Sequence, residues 1–71
     1  MSTQRKTMTL NLTQDEMDVL EMLATKKDVS KTAVLKAAIK LYYVIDCRIA
    51  SGERIFSEDE KKGDKAELLL L

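Results

Sequence analysis

Residues 7–12 alternate strictly, with Thr7, Thr9 and Asn11 polar and Met8, Leu10 and Leu12 apolar. Strand side chains point alternately to opposite faces, so the pattern predicts a strand with one face for a core and one for a polar partner. The polar face must be the outward one. Turned over, the strand would expose the three large apolar side chains and bury the polar ones, at about 1–3 kcal/mol for each left unpaired. The stretches that follow read as helices, so the expected ladder partner is the same segment of a second copy. That predicts an antiparallel two-stranded ribbon presenting Thr7, Thr9 and Asn11 twice. Such a ribbon fits the major groove of double-stranded DNA, where Asn suits adenine and Thr can donate, accept or set its methyl against thymine. A merely solvated strand face would show the same alternation.

After Leu12 the apolar period lengthens from two toward 3.6. Thr13-Gln14-Asp15-Glu16 is a capping box, and acids in the first turn suit the positive end of a helix. The helix should run to about Lys26 or Lys27. Met17, Leu20, Leu23 and Ala24 lie on one face, and Gln14, Asp18, Glu21 and Thr25 form a solvent stripe. Val19 and Met22 widen the apolar arc in a way that suits a subunit interface. Lys27-Asp28-Val29 reads as a tight turn, and Ser30 as the N-cap of a second helix reaching about Ala50, with Gly52 just past its end. On that helix Val34, Ala38, Leu41, Ile45 and Ile49 share a face flanked by Leu35, Ile39 and Tyr42, while Lys36, Lys40, Tyr43 and Cys47 lie opposite. The arc is too broad for one short partner and should meet its own symmetry mate. The expected dimer core is therefore Met8, Leu10, Leu12, Leu20, Val34, Ala38, Leu41 and Ile45.

Three readings of the tail compete. A β-hairpin turning about Lys62-Gly63 would set residues 54–57 opposite Leu68 to Leu71, apolar against apolar. A short helix could instead start at Ser57 with Glu60 as its box partner, or the charged stretch 58–67 could be disordered. The hairpin is favoured because four consecutive leucines need cover. The chain thus divides into a basic arm (1–6), a dimerisation and binding domain (7–50) and a tail (51–71).

The chain has 71 residues, one Cys and no His, Pro or Trp. A domain of this size buries little surface and commonly needs a disulfide, a metal or a partner chain. With Cys47 alone and no His, oligomerisation is what remains. No cofactor or metal is expected, and no enzyme activity, because the acids lie on helix faces or in the tail. Met17 and Met22 are more simply core than ligands, and Cys47 is more simply incidental than a redox sensor. No signal peptide or membrane span is evident, so a cytoplasmic, nucleoid-associated protein is expected.

Formal net charge is zero, but it is segregated: +2 over residues 1–12, −3 over 13–29, +3 over 30–50 and −2 over 51–71. Segregation permits a local positive face of the kind phosphate contact requires.

The alternating Lys6-Thr7-Met8-Thr9-Leu10-Asn11-Leu12, the Thr13–Glu16 cap and the turn-plus-cap Asp28-Val29-Ser30-Lys31-Thr32 resemble the ribbon-helix-helix superfamily of DNA-binding proteins (the Arc/MetJ/CopG type). The resemblance covers about residues 5–50. It implies a mainly α fold with one short N-terminal strand (βαα), built as an intertwined homodimer around an intermolecular antiparallel ribbon. It also implies base contacts from Thr7, Thr9 and Asn11, and phosphate held at the N-terminus of the second helix by Ser30, Lys31 and Thr32, with Arg5 and Lys6 on the backbone nearby. Asp28 departs from the family, which usually has Gly or Asn in this turn; Asp tolerates left-handed backbone better than most residues.

The leading expectation is a sequence-specific DNA-binding homodimer that represses transcription, its own operon included, with higher-order assembly on the operator. One alternative is an antitoxin with the same DNA-binding domain and a toxin-binding tail. Another is a protein-interaction dimer that never meets DNA.

Overall fold

The computed structural model describes residues 4–69. It is mostly helical: α1 (Gln14–Lys27) and α2 (Lys31–Ala50) are followed by the strands β1 (Phe56–Asp59) and β2 (Asp64–Glu67). The chain divides into two units with their boundary between Val34 and Leu35, inside α2.

In the first unit, α1 begins with the expected capping box. The Glu16 backbone N–H donates to the Thr13 hydroxyl at 3.2 Å, and the Thr13 N–H donates to Glu16 Oε1 at 2.9 Å. The helix ends where Asp28 turns left-handed, at φ 53° and ψ 49°. Two reverse hydrogen bonds seal this end: Asp28 N–H to the Thr25 carbonyl at 3.2 Å and Val29 N–H to the Ala24 carbonyl at 3.0 Å. That pairing is the Schellman arrangement, in which a left-handed residue lets orphan carbonyls find donors. The chain then restarts at once. The Ala33 N–H donates to the Ser30 hydroxyl at 3.0 Å and the Val34 N–H to the Ser30 carbonyl at 3.1 Å, so Ser30 caps α2 as expected.

The order of elements differs from the expected βαα. Residues 7–12 form no strand, and the sheet among the described residues consists of β1 and β2 alone. The reason is that a strand is defined by its ladder, and no described residue offers these six a partner. Burial in the chain by itself also falls short of the expected core. Leu20 is buried, together with Ala24; Leu12, Val34 and Ile45 are half-buried; and Met8, Leu10, Ala38 and Leu41 are exposed.

In the second unit α2 closes with another Schellman pair, Gly52 N–H to the Ile49 carbonyl at 3.0 Å and Glu53 N–H to the Arg48 carbonyl at 3.0 Å. Gly52 supplies the left-handed residue here, at φ 95°. The Ser51 hydroxyl donates to the Arg48 carbonyl at 2.8 Å, and Arg48 pairs with Glu53 at 3.3 Å.

The tail is a hairpin, with a register different from the one anticipated. Ser57 faces Ala66 and Phe56 faces Glu67, so residues 54–57 are not opposite 68–71. The turn centres one residue earlier than Lys62-Gly63, which moves every pair by two. Asp59 sets that turn: its Oδ1 accepts from the Lys61 and Lys62 N–H groups at 3.0 and 3.2 Å, and its carbonyl accepts from Gly63 N–H at 2.7 Å. Gly63 sits at φ 73°, which a residue without Cβ adopts freely. The apolar match survives at the open end, where Leu68 N–H donates to the Ile55 carbonyl at 2.7 Å. On one face Arg54 pairs with Glu67 at 2.7 Å, and Arg54 and Lys65 lie 5.5 and 4.8 Å from the Phe56 ring centroid. Leu70 and Leu71, part of the expected apolar cover, lie outside the described residues, as do the first three residues of the basic arm. No helix among the described residues is long and apolar enough to cross a membrane.

Candidate nucleic-acid interface

All eight residues expected to touch DNA fall in the first unit. Arg5, Lys6, Thr7, Thr9 and Asn11 are exposed along the segment before α1, and Ser30, Lys31 and Thr32 are exposed where α2 begins. Among the described residues, no hydrogen bond or ion pair ties Thr7, Thr9 or Asn11 to another residue. Their donors and acceptors are open to a ligand or to water.

The start of α2 is more closely built. Ser30 spends its hydroxyl as acceptor for the Ala33 N–H. Lys31, the first helical residue, reaches back to α1, where its ammonium lies 3.1 Å from Glu21 Oε1, with both side chains about half exposed (51% and 51%). The two groups share a depression lined by Glu21, Ala24, Thr25, Asp28, Val29, Ser30 and Lys31. One carboxylate, that of Glu21, therefore stands on the Lys31 ammonium beside the start of α2. Helical periodicity puts Glu21 on a plain solvent stripe. A contact across ten residues depends on how the Asp28 turn aims α2 back toward α1, and side-chain periodicity carries no signal for that.

Farther along the first unit, the Thr13 backbone N–H, and after it the Thr13 side chain, hold the Glu16 carboxyl below its ordinary value. Favourable hydrogen bonds to a carboxylate stabilise its charged form. The acid belongs to the cap and is engaged there.

Among the described residues no group of three or more His, Cys, Asp or Glu side chains could hold a metal ion. Cys47 is a free, exposed thiol. The assembled features are thus an unpaired segment of alternating polarity, a capped helix start carrying an ammonium, and an acid from α1 on that ammonium. Comparison with protein-family models, with curated proteins and with solved structures returns no match to this chain.

Proposed function

We propose that the protein is a homodimeric, sequence-specific DNA-binding repressor of the ribbon-helix-helix type. Two copies pair residues 7–12 as an antiparallel ribbon that enters the major groove and reads bases with Thr7, Thr9 and Asn11. The N-termini of the two α2 helices, with Lys31, hold flanking phosphates without reading sequence.

The observation that carries this proposal is apolar exposure in the single chain. Met8 is 80% exposed, Leu10 50% and Leu41 62%, while only Leu20 and Ala24 are buried among the described residues. A side chain of this size gains roughly 1.5–3 kcal/mol on full burial, so a second copy that covers these positions and supplies the missing ladder is strongly favoured. With Met8, Leu10 and Leu12 inward, the same pairing turns Thr7, Thr9 and Asn11 outward.

Two measurements test it together. Thermal unfolding followed across protein concentration should show a midpoint that rises with concentration. An electrophoretic shift against the DNA upstream of the chain's own gene, repeated across salt, should show a complex stronger than on scrambled duplex. A monomer with a concentration-independent midpoint, or equal binding to both duplexes, overturns the proposal.

A second reading is favoured by the hairpin. All eight strand residues are exposed, Phe56 at 43%, and Leu68 and Leu69 beyond them are 44% and 86% exposed. Two strands are marginal alone in water, so the tail is suited to a protein partner, as an antitoxin's would be. Full DNA affinity in a chain ending at Gly52, with loss of a co-purifying protein, is the outcome that favours it.

A further inference from the structure

Among the residues expected to touch phosphate, Lys31 is the one whose charge is already engaged. Its ammonium is 3.1 Å from the Glu21 carboxylate, at the mouth of the depression where Ser30 begins α2. Asp28, whose backbone turns the chain between the two helices, also lines the depression.

A phosphate approaching the α2 amides must share Lys31 with Glu21 or displace it. We propose that Glu21 is an internal competitor of DNA phosphate for Lys31, limiting how tightly the protein holds any duplex. This rests on the DNA-binding function proposed above and adds its regulation. Glu21 projects from α1, far in sequence from Thr7, Thr9 and Asn11, and phosphate contacts carry no base information. The competition therefore lowers specific and non-specific affinity by the same factor and leaves their ratio unchanged.

The pair is a weak structural tie. Half-exposed ion pairs contribute little to stability, so its loss hardly affects folding. Its effect on a phosphate a few ångströms away is larger in relative terms. Freeing the Lys31 ammonium gives the phosphate one unshared positive charge, which under the screening of bulk water changes binding by about three- to tenfold for each copy engaged.

The test is a set of duplex titrations, on the preferred and the scrambled sequence, with wild type, Glu21→Gln, Lys31→Met and the double variant. Glu21→Gln should tighten binding to both duplexes by that factor while the melting midpoint stays within a degree or two, roughly the shift expected of a surface substitution. Glu21→Ala, which removes the acceptor altogether, should give the same gain. In the Lys31→Met background the gain should largely vanish, because the competition has lost its object. An unchanged affinity for Glu21→Gln overturns the inference and leaves the DNA-binding proposal standing. An equal gain with and without Lys31 also overturns it, since simple repulsion would then suffice. If the folded wild-type dimer binds neither duplex, the proposed function fails and the competition with it.

Discussion

Residues 7–12 carry the alternation expected of a strand and residues 56–67 carry less of it, yet among the described residues only the second stretch forms a sheet. The second succeeds because its partner is a turn away: four residues, gathered by Asp59 and Gly63, bring β2 against β1. The first has the cleaner alternation and yet no ladder, because α1 follows it directly. Alternation alone does not make a strand: pairing requires a second segment, and the cost of finding one grows with the length of chain or the number of molecules that must be brought together. The hairpin is a sheet the chain completes alone, whereas the alternating segment would form one only with a partner from outside.

The largest expected effect comes from placing a charge in the unpaired segment. Leu10→Asp would sit in the proposed ribbon twice, forfeiting roughly 1.5–3 kcal/mol of burial per copy and adding the cost of a buried charge. Sedimentation should then show monomer and circular dichroism a loss of helix. Phe56→Asp, on the exposed face of the hairpin, should leave dimer and helices intact. A folded Leu10→Asp dimer would show that residues 7–12 do not pair between copies.

Next in size is Asn11→Ala, expected to cost about 1–3 kcal/mol on the preferred duplex for each base that Asn11 no longer reads, and nothing on scrambled duplex. Parallel titrations measure both. Equal weakening on the two duplexes would assign Asn11 to the backbone or to the fold rather than to a base.

The hairpin can be weakened without touching the rest. Gly63 holds φ 73°, where a Cβ costs about 1–2 kcal/mol, so Gly63→Ala should open the Ser57–Ala66 ladder. Amide exchange across β1 and β2 should quicken while α1 and α2 keep their protection. If helix protection fell as well, the two stretches would not be independent.

The smallest effect lies at the junction of the unpaired segment and α1. The Glu16 carboxyl is held below its ordinary value by the Thr13 backbone N–H and side chain. Its contribution to the cap is therefore complete above the ordinary carboxylate range and is lost as pH falls through the lowered value. A carboxyl-detected NMR titration should place Glu16 below the ordinary glutamate value, and Thr13→Ala should return it toward that value. A Glu16 titrating at the ordinary glutamate value in the wild type would mean the box is open in solution.

Much of this fold can be read along the chain because its determinants are local. The Thr13–Glu16 box and the Ser30 cap join residues three apart, and helix periodicity marks the apolar faces. The hairpin's existence is legible in the apolar runs on either side of a Gly-containing turn. Its register is not, because that depends on Asp59 capping two amides of a four-residue loop, and moving the turn by one residue moves each pair by two.

The candidate site divides along the same line. Alternation and capping single out Thr7, Thr9, Asn11, Ser30 and Lys31, all properties of neighbouring residues. The Glu21–Lys31 pair and the left-handed Asp28 between its two helices belong to three dimensions. Asp28 can be named as a turn residue from sequence, but the direction in which it sends α2 is set by φ, ψ and two reverse hydrogen bonds taken together. That direction brings an acid from one helix to the cation of the next. Hydrogen bonds within a turn of chain follow from residue type and spacing, whereas a contact between helices follows from the angle at which they are joined.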